Sequence, residues 1–460
     1  MVGMRKVVLF GAGGRIEYII NKLKADIIPI LILDNDSSKW GKEVCGIKIC
    51  NPKAIRATMY EYVVIVPYDY YQIQKQLIDL GVSEHKIINC THYEAVCIEE
   101  RVEKYDGIYT MSVSNKKSVL VFSHSLVSTG AQNVLTTVLV SYLNMGVNVI
   151  VISTEDGELR QDLVEKGVIV YIIPDFYTHK ELVNQLLYSS DFVIVNTLWM
   201  YYVIKDFIVE KVKTIWWIHE SLNIEYIDKW VFEMCIDKKV EICAVSEVVK
   251  DAIDSYTKSD LNVKILRFAI PYYNVNRIEH KKVNIVVLAA LAYIKGQDIF
   301  VKAVRELSYD VRKKAEFYFI GGGKRNKDIV QMAQKVGIHI LDAIPHNNVF
   351  TVYEMADVIV CPSRKEAMSV TVVEAMMNGI MTIVSDAAGI AHYIDNGKNG
   401  MIFKSEDVHE LAHMLEWAIL NRDERVRLGN QGRSIYNQYF SMNKLNCSLN
   451  EMVNVVSEDA

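Results

Sequence analysis

Thirteen short runs of apolar, largely β-branched residues punctuate the chain, among them KVVLFGAG, IIPILILD, YVVIVP, SVLVFS, NVIVIS, DFVIVN, TIWWIH, VNIVVLA, EFYFIGGG, DVIVCPS and MTIVSD. A helix-sized interval separates each from the next. Runs that are continuous rather than alternating belong to strands buried on both faces, and strands spaced by helices form parallel sheets. The expected class is therefore α/β, with several doubly wound, Rossmann-like sheets.

Two polar stretches break the rhythm, RVEKYDGIYTMSVSNKK from Arg101 to Lys117 and NVNRIEHKKVN from Asn274 to Asn284. They divide the chain into a small front domain (1–100), a linker (101–117), a second domain (118–275), a third (283–440) and a C-terminal tail (441–460). Half of the 460 residues are hydrophobic, enough for about three domains at roughly 150 residues each. The net charge of -5 and the scattered Lys and Arg residues argue against a nucleic-acid partner. Eight cysteines include no C-x-x-C pair, and most sit beside apolar runs as small core residues do. Without a signal-peptide core or an 18-residue apolar run, the expected location is the cytoplasm, with peripheral contact at the inner face of the plasma membrane left open.

Chemistry concentrates in SRKEAMSVTVVEAMMNG, where Glu366 and Glu374 stand eight residues apart around a mostly apolar segment. Ionised glutamate is rarely buried without a partner. At this spacing alone a solvated helix face and a loop charge explain the pair. Their context points elsewhere: Glu366 follows a buried strand, Glu374 lies in the next helix, and ligands of doubly wound sheets bind where strands end and helices begin. The backbone N–H groups near Met368, Ser369 and Val370 would open that helix and form an anion site fit for a diphosphate. Two flanking carboxylates would accept hydroxyls, one from a ribose and one from a sugar. Upstream, Lys295 occupies a strand-to-helix turn where it could neutralise a diphosphate, and Gly321 to Gly323 form a glycine turn that allows close backbone approach.

In this order KGQD, FIGGG, ADVIVCPSRKEAMSVTVVEAMMNG and SDAAGIAHYIDNGKNGMIF resemble the retaining glycosyltransferases of family 4, also called group 1, which have the GT-B fold of two facing Rossmann-like domains. The resemblance runs from about Ser118 to Tyr439. WWIHE is similar to the version found in transferases of bacterial surface-polysaccharide assembly, and AVSEVVKDAI to the family's Val-Ser turn and helix. The resemblance implies that Glu374 binds ribose, Glu366 faces the donor sugar, Lys295 binds donor phosphate and His219 lies near the reacting sugar. It implies that Gly130 lets the backbone approach the phosphates, although Thr129-Gly130-Ala131-Gln132 stand where Gly-Gly-Ala-Glu is usual. Ala289-Ala290 replace the family's Gly-Arg, leaving one phosphate-binding cation absent. The implied substrates are a UDP- or GDP-sugar donor and a glycan or lipid-linked acceptor. No cofactor or metal is implied.

At the front, KVVLFGAGGRIEYIINKL and IIPILILDND offer Gly11, Gly13 and Asp34 in a dinucleotide-like arrangement whose third glycine is replaced by Ile16. Similar small domains are fused to polysaccharide-assembly proteins. Asp34-Asn35-Asp36 spells D-x-D but precedes the transferase motifs, so a strand-end turn is expected there rather than a metal site. Two further readings stand beside a transferase: an NAD-dependent nucleotide-sugar oxidoreductase using the front domain, and a non-catalytic subunit that binds nucleotide sugar.

Overall fold

The structure is a computed structural model; it describes residues 4–67, 70–97, 102–107, 117–221, 224–258, 261–322, 327–342, 344 and 348–458. Gly323 and most of the expected linker lie outside the described residues. All thirteen apolar runs form strands, because each can be buried on both faces of a sheet.

The first sheet is built from β1 (Arg5–Phe10), β2 (Ile27–Leu33), β3 (Glu43–Val44), β4 (Ile47–Cys50), β5 (Tyr62–Ile65) and β6 (Ile87–Ile88), in the order β3-β4-β2-β1-β5-β6. Its pairings are parallel except β3 with β4, so the sheet is mixed rather than wholly parallel. Val8, Phe10, Leu33, Val63, Ile65 and Leu77 make its core. Residues 1–105 belong to one compact unit together with 152–155 and 171–189; residues 106–151, 156–170 and 190–460 form the other.

The second sheet contains β7 (Glu103–Tyr105), β8 (Ser118–Ser123), β9 (Asn148–Ser153), β10 (Ile169–Ile172), β11 (Phe192–Asn196), β12 (Lys213–Ile218), β13 (Val240–Ala244) and β14 (Lys264–Ile265), ordered β14-β13-β12-β11-β8-β9-β10-β7. The third contains β15 (Val283–Leu288), β16 (Ala315–Ile320), β17 (His339–Leu341), β18 (Val358–Cys361), β19 (Met381–Ser385) and β20 (Met401–Phe403), ordered β17-β16-β15-β18-β19-β20 with parallel pairings throughout. In both, the chain leaves a central strand in one direction and returns on its other side. The reversal lies between β8 and β11 in the second sheet and between β15 and β18 in the third. Connections on opposite faces part there and leave a crevice at the carboxyl ends of the strands.

The segment 441–460, expected as a tail, contains the helix Met442–Glu458, which buries Leu445 and Leu449. Among the described residues no helix is long and apolar enough to cross a membrane.

Candidate active site

Lys295 and Glu366 come from the two loops that leave β15 and β18, on either side of the switch point. Lys295 ends a short turn, Tyr293–Lys295, closed by Gly296 at φ +67°. A Cβ at Gly296 would lie 1.8 Å from the Pro362 carbonyl oxygen, so only glycine lets the two loops come this close. The consequence is an ion pair: Lys295 Nζ donates to Glu366 Oε2, which also accepts from Ser363 Oγ at 3.3 Å. The main chain of Glu366 is pinned from both sides, its N–H donating to Ala387 O (3.2 Å) and its carbonyl accepting from Gly389 N (2.9 Å). The neighbouring Arg364 has no such freedom to meet a ligand. Its guanidinium forks onto Asp298 at 2.7 and 2.9 Å, bonds Glu406 and stacks on the Tyr293 ring.

Glu374 lies in the helix Val370–Met377, which starts at Ser369 without a side-chain cap. The first turn of such a helix leaves N–H groups without an intrahelical partner, and these belong to Ser369, Val370, Thr371 and Val372, Met368 standing one residue before the cap. Only 3 % of Glu374 is exposed, and Oε2 accepts from Tyr353 Oη at 2.5 Å. Burial raises its pKa to about 7, against the opposing pull of neighbouring tyrosine hydroxyls. Tyr273 Oη is buried beside it and is the second hydroxyl close enough to act on this carboxylate. Glu374, Val370, Phe350, Pro271 and Tyr273 line a cavity of about 370 Å³ that Asn133, Val134 and Thr137 close from the helix Gly130–Asn144. The cavity thus lies between the second and third sheets' domains. Ser246 Oγ donates across the same divide to Ala367 O at 2.6 Å, and Arg267 and Glu247 both bond Tyr393 Oη.

Gly130 is the first residue of its helix, and a Cβ there would meet nothing within 4 Å. Gly321 is different: its Cβ would strike Ala289 O at 2.1 Å, and Gly322 O accepts from Leu291 N at 3.0 Å. The glycine turn therefore seats the Ala289-Ala290 segment.

At the carboxyl edge of the second sheet, His219 Nε2 lies 3.0 Å from Asn196 Oδ1, with Trp217 packed on its ring. Burial, and secondarily His124, lower its pKa to about 3, so the imidazole is neutral at ordinary pH. His124 Nδ1 is 3.0 Å from Thr197 Oγ1 and its ring meets Gln132 Nε2. Thr197 holds φ at +76°, costly for a β-branched residue, and its backbone is clamped by Trp216 Nε1 and the Trp217 carbonyl. Glu220 Oε2 gathers the N–H groups of Leu198 and His219. Sequence reasoning misses His124, Asn196 and Tyr353, and reaches Gln132 only as a member of the Gly130 loop. His124 carried the same signal as His219, a polar residue directly after a buried run; Tyr353 carried none.

In the front unit, Asp34 Oδ2 accepts from Ala12 N at 2.6 Å, between Gly11 and Gly13, and from Lys39 Nζ at 3.2 Å. Asp34 Oδ1 receives Asp36 N, and Asp36 in turn caps a single helical turn. The D-x-D is a strand-end turn. A Cβ on Gly11 would meet the Pro67 ring at 2.6 Å. Among the described residues no group of three or more His, Cys, Asp or Glu could hold a metal ion.

Residues 272–435 match the family described as glycosyl transferases group 1, and residues 115–270 the one described as glycosyl-transferase family 4. The chain belongs to the family 4, group 1 glycosyltransferases. Residues 3–88 match a C2185-like N-terminal domain. Among curated relatives, an N,N'-diacetylbacillosaminyl-diphospho-undecaprenol alpha-1,3-N-acetylgalactosaminyltransferase of Campylobacter jejuni is 26% identical over 42% of this chain and 48% of its own. A sulfoquinovosyl transferase of Arabidopsis thaliana is 26% identical over 28% of this chain and 26% of its own. The chain thus spans about half the length of these curated relatives or less. Anabaena HepE, solved in complex with UDP-glucose, superimposes with TM-score 0.63 at 15% identity over 74% of this chain and 99% of its own. Sucrose-phosphate synthase of Thermosynechococcus elongatus gives 0.60 at 14% identity, over 75% of this chain and 100% of its own. The fold of this group 1 member is GT-B, with a Rossmann-like α/β domain in front.

Proposed function

We propose that the protein transfers a sugar, with retention, from a UDP- or GDP-sugar to a glycan or lipid-linked acceptor in the assembly of a surface polysaccharide. The observation that carries this reading is Glu374: a nearly buried carboxylate with no cation beside it among the described residues, held by tyrosine and lining a cleft between two Rossmann-like domains. A vicinal diol is the complementary group, since each carboxylate oxygen has lone pairs to spare.

On this reading the ribose hydroxyls donate to Glu374, and the base lies along the apolar wall of Pro271, Val349 and Phe350. The diphosphate meets the N-terminus of the helix Val370–Met377, with Gly130 admitting it from the opposite domain. Lys295 exchanges Glu366 for phosphate and steadies the leaving group, while Glu366 turns to the donor sugar's hydroxyls. His219, being neutral, acts through hydrogen bonds at the acceptor-side edge, holding a hydroxyl rather than delivering a proton from an imidazolium. The leaving phosphate takes the acceptor's proton. The chemistry asks these residues for preorganised charge and position; no cofactor enters it. The protein would act in the cytoplasm, meeting a lipid-linked acceptor at the inner face of the membrane.

One observation favours a second reading, a nucleotide-sugar-binding subunit without turnover: Ala289-Ala290 stand where the family has Gly-Arg, and Arg364 is committed to Asp298 and Glu406. Calorimetric titration of UDP- and GDP-sugars, followed by a turnover assay with the sugar that binds, separates the two. Binding weaker by about 10-fold or more is expected in Glu374→Gln; unchanged affinity removes the carboxylate from the site.

A further inference from the structure

A second cavity, of about 540 Å³, lies at the other edge of the third sheet. Its wall includes Val283 at the start of β15, Lys314 just before β16, Asp357 just before β18 and Met381 at the start of β19. These mark the amino ends of the strands, whereas Lys295 and Glu366 follow the carboxyl ends, so the cavity is separate from the cleft described above.

Its charge is out of keeping with the chain. Seven lysines and arginines line it against two carboxylates, Glu279 and Asp357, in a protein whose net charge is -5. The carboxylates are spent locally: Glu279 pairs with Arg422, and Asp357 accepts from Asn284 N at 2.9 Å and from Arg277 at 3.4 Å. Among the described residues, Lys281, Lys314, Arg425 and Arg433 pair with no carboxylate. Arg425 is only 7 % exposed, yet its one hydrogen bond runs from a terminal nitrogen to the Ala418 carbonyl. A guanidinium has five N–H donors, and beyond the bond to Ala418 those of Arg425 meet no protein acceptor among the described residues and are left to the cavity it lines. Burial lowers the Arg425 pKa, with Arg422 and Arg277 adding repulsion against the pull of Asp357. Arg433 uses only Nε, on the Met377 carbonyl.

We propose that this cavity binds a small soluble polyphosphate, a di- or triphosphate group held by the forks of Arg425, Arg433 and Arg277 with Lys281 and Lys314 at the rim. Planar guanidinium forks match phosphate oxygens two at a time. Several convergent cations favour a multiply charged anion over a single carboxylate, and the volume is in the range of small-molecule sites. Asp357 holds Arg277 through its ion pair at 3.4 Å.

The test is calorimetric titration of the full chain with inorganic tripolyphosphate, in the Lys295→Ala background so that the cleft's own diphosphate affinity is weakened. Expected is one-to-one binding that weakens steeply with salt, and weakens at least tenfold in Lys281→Glu/Lys314→Glu, whose exposed positions spare the core. Arg425→Met should abolish binding if it folds; the rim pair decides if it does not. The proposal is overturned if tripolyphosphate does not bind, or if binding is lost with Lys295→Ala and indifferent to the rim pair. Co-sedimentation with phosphatidylglycerol vesicles, combined with no heat from tripolyphosphate, would assign the patch to lipid and overturn it equally.

Discussion

Lys295 Nζ and Glu366 Oε2 form an ion pair across the switch point of the third sheet, joining two residues that the sequence places in different loops. With no donor present the cation and the carboxylate neutralise one another. A diphosphate would compete with Glu366 for Lys295, and a sugar hydroxyl would compete with Lys295 for Glu366. The two substitutions should therefore move nucleoside diphosphate affinity in opposite directions. Lys295→Ala is expected to weaken UDP or GDP by about 10-fold or more, the worth of one charge-assisted hydrogen bond. Glu366→Gln should tighten it. Turnover should fall in both, by about 10² for Lys295→Ala. If both variants leave nucleotide affinity alone and only lower the melting temperature, the pair is structural.

Glu374 gives donor binding a pH signature. Its carboxyl has a pKa of about 7 in the empty protein, raised by burial, so below that pH it is mostly protonated. Diol hydroxyls donate to the ionised form and stabilise it. Donor affinity should then rise as pH increases from 5.5 through 7 and level off near 8, with about one proton released per donor bound at the acid end. A nucleotide sugar is the right probe, because its diphosphate diester does not titrate in this range. Glu374→Gln should bind about 10-fold or more weakly at pH 8 and show a flat profile. A wild-type profile without slope between pH 5.5 and 7 would refute the assignment.

The strands buried on both faces could be read off the sequence because β1, β8, β15, β18 and their like need continuous apolar runs. Edge strands could not. His339–Leu341 and Glu43–Val44 are short, partly exposed and carry no periodicity of their own; only the neighbouring strand makes them strands. The site divides the same way. His219 follows a buried run directly and Glu366 and Lys295 lie in the loops just after one, so their position at a carboxyl edge was visible. That Lys295 meets Glu366, or that Tyr353 meets Glu374 from a helix 21 residues upstream, depends on which strands become neighbours. Gly321 looked like a ligand-facing glycine, and what the fold puts against it is Ala289.

Glycines supply a contrast that requires no kinetics to begin. At Gly296 a methyl group would meet a backbone carbonyl in a left-handed conformation, so Gly296→Ala should cost more than about 2 kcal/mol and disturb the Lys295 turn. Gly130 faces open space at the first position of a helix, so Gly130→Ala should leave the melting temperature unchanged or raise it slightly. If the space is kept for donor phosphates, the same variant should raise the donor Kd severalfold. A stable Gly130→Ala protein with normal donor affinity would leave that glycine without a ligand to serve.

His219 predicts a pH effect of its own, on stability. Its pKa is lowered to about 3 in the folded chain against an ordinary value of 6.5. Between those values the unfolded chain binds the extra proton and the folded chain does not, so stability falls as pH drops from 6.5 towards 3. Glutamine can still donate to Asn196 Oδ1 but does not titrate. His219→Gln should therefore lose less melting temperature than wild type between pH 7 and pH 4.5, a comparison in which the carboxylates common to both chains cancel. In the rate, a neutral imidazole leaves no inflection of its own from pH 5.5 to 8. His219→Gln should keep more turnover than His219→Ala across that range, because the role retained is a hydrogen bond. Equal losses in the two variants, together with a wild-type inflection near 6.5 that both abolish, would mean that the imidazole works as an acid or base instead.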